Sequence, residues 1–393
     1  MQGTSSTTSM TAILVATFLS SIGSSVLWIG LGFVTKEAYG FSQVHTLMLF
    51  LCGGIIYTLM AGLASPLVRI ARQRMGLGTR SILVITLLVQ AIAAPLVLLD
   101  STIYLWIAVI IMEMMAAIWW PLIESYLTSG HGSRRMSIVI GRWNITWTTA
   151  MAIATLGLVP VMMLMNSRWM IVLIVPASIG SLACLKWFTS NPSSHQPVIE
   201  TEPISKEYVQ LLASARVLLP VGTMLIGALS PLVPYVLQRL ELHAGMDILL
   251  TCSWLLTRVM AMILMWLSQF WHGRWSMLAM GALALCAGFS ITILSGSLPL
   301  SIIGFCLFGL GEGIIYYAAF YYAMNVGRAE VEAGGTHEML IGGGYALGSA
   351  ASLAGALAGG YTTILVFVMG CTFLAILPAI RPWLHARHLR TTA

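Results

Sequence analysis

Four charged residues stand inside long apolar stretches of this sequence: Glu113, Glu124, Arg258 and Glu312. A carboxylate held at mid-bilayer costs about 2.5–3.5 kcal/mol on insertion scales, so it needs a partner, a proton or water. Glu113, Trp120 and Glu124 follow the spacing i, i+7, i+11 and fall on one face of a helix. Trp119-Trp120-Pro121 is expected to interrupt that helix just before Glu124. Glu312 and Tyr316 are i, i+4 and also share a face. Arg258 cannot shed its charge, so it must pair or face water. An intramembrane acid or an anionic substrate group could meet it. Glu113 has no basic residue of its own half at similar depth and is expected to carry a proton that it releases on wetting. The competing reading is a glutamate that stays protonated and hydrogen-bonded in the interior. Trp120 and Tyr316 could wall a site beside these acids. Aromatic faces suit sugars, ring systems and organic cations.

The elements that must position these residues are membrane spans. The chain is 393 residues long, 58% apolar and 8% charged, where soluble domains carry about 25% charged residues. Twelve apolar runs lie at 11–34, 46–67, 80–98, 103–127, 137–163, 168–188, 213–236, 246–270, 276–295, 300–324, 338–358 and 361–380. The reading is all-helical, because an isolated span must satisfy its own backbone and the ten-residue alternation of a β-barrel is absent. Fifteen of the 19 Lys and Arg fall on one side of these runs. That bias predicts a multi-pass protein of the cytoplasmic membrane with both termini in the cytoplasm. The net charge of +6 therefore marks orientation and not nucleic-acid binding.

The longest connection, 189–207, divides the runs six and six. It predicts an N-terminal bundle over 1–190, a cytoplasmic linker over 191–206 and a C-terminal bundle over 207–393. An internal echo supports the split: Glu113 then Trp119-Trp120 in run 4, Glu312 then Tyr316-Tyr317 in run 10. Parallel six-helix repeats of this kind belong to transporters. The glycines of run 11, spaced Gly344-x-x-x-Gly348 and Gly355-x-x-x-Gly359, predict close helix packing and no nucleotide loop. The six cysteines all lie in apolar runs with no C-x-x-C pair, and no metal spacing occurs among the histidines.

In this layout the chain resembles the major facilitator superfamily: twelve spans, both ends inside, a longer middle loop and a basic 2–3 loop. The family's loop reads G-x-x-x-D-x-x-G-R-R. Here Gly62 opens the match, Pro66 stands at the aspartate and Arg69 at the second glycine. The resemblance implies two pseudo-symmetric six-helix bundles, with runs 1, 4, 7 and 10 around a cavity that opens alternately to each side, and it makes runs 8 and 10 neighbours, so that Glu312 is the simplest partner for Arg258 and an anionic substrate group the alternative. In place of the family's acidic latch, Glu124 is expected to pair with Arg142 or Arg135, and Glu338 with the loop carrying Arg69, Arg72 and Arg74.

The functional expectation is a secondary transporter of a small organic solute, proton-coupled, monomeric, with no cofactor or metal. Glu113, Trp120, Arg258, Glu312 and Tyr316 are its binding or coupling residues. A receptor or scaffold that moves nothing is the alternative. A membrane transferase is less well supported, because the only aspartates, Asp100 and Asp247, lie in outer loops and cannot build a diphosphate-metal site. No phosphate-binding loop for ATP occurs, so transport would be facilitated or ion-driven. A cysteine introduced at Ser194, in a background without native cysteines, should react with an impermeant maleimide only from the cytoplasmic side. Labelling from outside intact cells would overturn the orientation.

Overall fold

In hydrocarbon the backbone has no water to bond, so each apolar run closes its own hydrogen bonds as a helix. The computed structural model describes residues 8–129, 133–192, 206–243, 245–326 and 331–391, without the side chains of 133–137, 206, 324–326, 331–333 and 382–391. Among the described residues there is no strand, and twelve helices are long and apolar enough to cross a membrane. We number them α1 (Met10–Tyr39), α2 (Gln43–Met75), α3 (Thr79–Leu98), α4 (Thr102–Thr128), α5 (Ile138–Leu164), α6 (Trp169–Trp187), α7 (Glu207–Gln238), α8 (Met246–Leu267), α9 (Trp275–Leu294), α10 (Leu298–Ala323), α11 (Gly334–Ala358) and α12 (Tyr361–Arg381). Most of the expected linker, 193–205, lies outside the described residues.

Spans α1–α6 form one bundle and α7–α12 a second. The bundles meet where α2 packs on α11 and α5 on α8. Small residues set the closeness of these seams. A Cβ on Gly54 would lie 2.9 Å from the Ala346 nitrogen, and one on Gly342 2.9 Å from the Thr58 nitrogen. Gly54 and Gly342 therefore mark the surface between the halves. The two expected glycine pairs pack inside the C-terminal half: Gly344 and Gly348 against α7, Gly355 and Gly359 against the start of α12.

Two irregularities lie near the centre. Helix α1 widens into a π turn over Val26–Gly30, around Trp28, a feature frequent at functional sites. Helix α7 tightens to a 3₁₀ turn over Ser230–Leu232, where Pro231 and Pro234 withhold backbone donors. The two meet, since the Ser230 hydroxyl donates to the Trp28 carbonyl. The expected interruption at Trp119-Trp120-Pro121 is absent: α4 runs unbroken from Thr102 to Thr128 with Pro121 inside it. Residues 116–128 of α4 are all buried, so packing on every side holds the helical path across the missing donor.

Candidate functional site

The serines of α1 divide between two tasks. Ser25 bonds Thr155 at 2.7 Å and the Met151 carbonyl at 3.0 Å, tying α1 to α5. Ser20 bonds Ser181 on α6 at 3.0 Å. Ser24 instead faces a central cavity with about 490 Å³ of atom-free space, bounded by both bundles. Its aromatic wall comprises Trp28, Trp120, Trp143, Trp147, Tyr316 and Tyr345. Arg258 and Glu312 line the same space.

Arg258 and Glu312 form an ion pair, Nη1 to Oε1, at 2.6 Å. They are 3% and 4% exposed. The second carboxylate oxygen of Glu312 accepts from Trp254 Nε1 at 2.5 Å, so both of its oxygens are held. The guanidinium also lies 4.9 Å from the Trp147 ring centroid and reaches Met151 Sδ with Nη2 at 3.3 Å. Its Nε is buried with no protein acceptor. The glycines around Glu312 let α10 come this close. A Cβ on Gly313 would lie 2.8 Å from the Arg258 carbonyl, and one on Gly309 would overlap the Trp254 carbonyl. The sequence Gly309-Leu-Gly-Glu-Gly313 thus brings the acid within reach of the arginine on α8.

Glu113 does not share that cavity. It is 7% exposed and lines a neighbouring one with Gly53, Tyr57, Gly342 and the rings of Trp28 and Tyr345, which separate the two spaces. No basic residue lines it. Trp120 lines the central cavity instead, so the helical face that carries Glu113, Trp120 and Glu124 meets more than one space. At 100° per residue an i, i+7, i+11 set spreads over about 40° of arc, and different neighbours occupy that arc.

Contacts between the halves lie toward both ends of the central cavity. At the end remote from the basic loops, Tyr235 Oη donates to the Phe41 carbonyl at 2.7 Å and lies 2.7 Å from Thr46 Oγ1. At the basic end, Trp143 stacks on Phe320 with centroids 5.1 Å apart. Beyond them, ligand atoms of Glu124, His337 and Glu338 lie within 4.8 Å of one another. The Tyr57 hydroxyl donates to Glu338.

Among the described residues, Glu124 does not pair with Arg142, nor Glu338 with Arg69. Arg142 and Arg69 are exposed while Glu124 and Glu338 are each 3% exposed, and the acids of α4 and α11 face each other instead. The side chain of Arg135 lies outside the described residues. Long basic side chains gain more by reaching interfacial water than by entering the seam. Those of the 2–3 loop secure the first half to its own last span: Arg72 donates to Asn191 at 2.8 Å and Arg80 to the Phe188 carbonyl at 3.1 Å. The Glu124–His337–Glu338 group is the one place among the described residues where three such ligands gather, and it could hold a proton or one cation. Sequence spacing could not find it, because its members come from two distant spans. Trp143 and Trp147 were also missed, although their i, i+4 spacing in α5 is the same signal that marked Tyr316.

With this geometry in view, the comparisons with known proteins can be stated. Residues 13–349 match the family described as Major Facilitator Superfamily. The chain belongs to that superfamily. It is therefore a multi-pass membrane protein of a transporter family, not of an enzyme family, and a small-molecule substrate goes with that membership. Its fold is similar to the human organic anion transporter MFSD10 (TM-score 0.66, 13% identity, covering 94% of this chain and 98% of that one). It is similar as well to the nucleoside transporter NupG (0.66, 12%, 95% and 98%). A third such structure is a bacterial homologue of the human lysosomal transporter Spinster, inward-facing and unoccupied (0.66, 14%, 95% and 97%). No match to a curated protein sequence was found.

Two outcomes follow from this superfamily geometry. Glu312→Gln should lower stability by about 3–5 kcal/mol, because it strands Arg258 without its counter-ion. Replacing both, with Arg258→Met and Glu312→Leu, should restore much of that loss in a detergent melting assay. At the basic end, Glu338→Gln lets an amide donate to Glu124 and removes the repulsion between two facing carboxylates. A cysteine at Ser129, in a background without native cysteines, should then label more slowly than without the change. Faster labelling would show that the carboxyl pair does not oppose closure.

Proposed function

We propose that this protein is a secondary active transporter that moves a small organic solute across the cytoplasmic membrane by alternating access, with protons as the coupling ion. One observation carries the reading: a buried Arg258–Glu312 pair stands in an aromatic-walled cavity between two bundles, with contacts between the halves toward each of its ends. A fixed scaffold has no need of an enclosed polar centre at this depth, whereas an intramembrane ionisable group is by default functional. The two seals are of different construction. One is made of hydroxyls on a backbone carbonyl, the other of stacked rings backed by a carboxyl pair. Each can part without disturbing the other, which is what a two-sided gate requires.

Within this reading Glu113 is the proton site. It is a buried carboxyl lining a cavity with no basic residue, next to the substrate cavity and divided from it by Trp28 and Tyr345. Arg258–Glu312 is the fixed polar element near Tyr316. Two carboxyl groups in contrasting surroundings allow one to exchange a proton while the other keeps its charge. Proton release and substrate release can then be linked through the two shared rings. The basic-loop end faces the cytoplasm, as the charge bias requires.

The test is transport by Glu113→Gln in proteoliposomes. Substrate exchange should persist at close to the unmodified rate, and accumulation driven by an imposed pH gradient should vanish. Accumulation that still follows the gradient would remove Glu113 from the coupling role.

A further inference from the structure

The central cavity presents an uneven set of hydrogen-bonding groups. Both oxygens of Glu312 are occupied, by Arg258 and by Trp254. Glu338, the other carboxylate on the wall, is held by Tyr57 and turned toward Glu124 and His337. Two donors on the wall are buried and have no protein acceptor: Arg258 Nε and Trp143 Nε1. A third, Arg258 Nη2, meets only the thioether of Met151, a weak acceptor. Buried polar groups are normally paired, so unpaired ones call for an explanation. Here the unused groups are N–H donors, one of them on a guanidinium whose fork suits a carboxylate.

The walls add shape to that preference. Trp143 and Trp147 stand one helical turn apart on α5, with Tyr316 opposite at 4.9 Å from the Trp147 ring centroid. The cation position over Trp147 is already filled by Arg258. A second cation entering there would face the guanidinium with no free carboxylate oxygen on Glu312. An acceptor would meet unused donors and flat apolar faces.

From these observations we infer that the substrate is a planar, ring-bearing organic monoanion, an aromatic or heteroaromatic carboxylate, whose carboxylate accepts from Arg258 and Trp143 while its ring lies against Trp147 and Tyr316. This rests on the transport reading above and narrows it to a substrate class. It also has a consequence for coupling: a monoanion moving with one proton carries no net charge across the membrane.

The test uses the full chain in lipid nanodiscs and three matched sets of probes. Benzoate, 1-naphthoate and indole-3-carboxylate are each compared with the corresponding neutral amide and primary amine, and binding is read from quenching of tryptophan fluorescence. At least one carboxylate should bind saturably and more tightly than its amide and its amine. Arg258→Lys keeps the charge and a partner for Glu312 but loses the fork, and should weaken carboxylate binding about tenfold, the loss expected for one charge-assisted hydrogen bond. Trp143→Phe keeps the ring and loses the N–H, and should weaken it about fivefold. In both variants amide binding should change less than carboxylate binding. Tighter binding of the amines or amides, or no binding of any carboxylate, overturns the inference. So does carboxylate binding that neither variant weakens. Uptake by proteoliposomes separates this from the broader reading. Selective carboxylate binding without uptake would sink the transport assignment and leave the site's chemistry standing. Uptake of an amine without carboxylate binding would do the reverse.

Discussion

An arginine cannot be neutralised inside a protein, and withdrawing an ion from water costs several kcal/mol even after relaxation. Arg258, at 3% exposure, imposes that requirement on everything around it. Glu312 must be brought within 2.6 Å, and Trp254 must hold the carboxylate's second oxygen. To achieve this, α10 gives up side chains at Gly309 and Gly313 so that its backbone can close on α8. Gly311, on the opposite side, lets α10 close on α9, where a Cβ would lie 2.5 Å from the Gly281 carbonyl. The C-terminal bundle is thus rigid where the charges sit. With Glu338, the pair gives charge to a cavity otherwise walled largely by rings.

The N-terminal bundle answers the corresponding depth differently. Glu113 occupies the position that echoes Glu312, 199 residues earlier, but no arginine meets it. The repeat therefore supplies two carboxyl groups with unlike surroundings, one paired with a permanent cation and the other in a cavity that no basic residue lines. Trp28 and Tyr345, one from each half, separate their two cavities. The π turn that carries Trp28 is bonded to the broken segment of α7 at Ser230. A movement of one half against the other would shift this partition, which makes it the natural place for the two cavities to communicate.

The basic end shows why charge counting along a membrane sequence does not predict ion pairs. Arg69 and Arg142 reach water from the rim, where a long side chain satisfies its charge at little cost. Glu124 and Glu338 are too short to follow and stay in the seam, facing each other beside His337. A latch of two carboxyl groups closes only with a proton or cation between them, whereas one made of opposite charges closes unaided. Replacement of the family's loop aspartate by Pro66 thus goes with a different kind of closure and not with a mirrored version of the same one.

The sequence by itself determined the number of spans, their helical character and the need of Arg258 for a counter-charge. Each follows from one constraint that acts on a segment or a residue alone: apolar length, backbone satisfaction, or a charge that cannot be lost. It also marked Tyr316, because the i, i+4 relation to Glu312 is local. Tertiary structure decided what depends on which helix lies opposite. It gave Glu113 a separate cavity, brought Glu124 to Glu338, kept α4 helical through Pro121, and put Trp143 and Trp147 of α5 on the cavity wall. Helical periodicity defines a face to within an arc of several tens of degrees. In a bundle of twelve, that arc spans more than one neighbour, and the chemistry of a buried acid is set by the neighbour it meets.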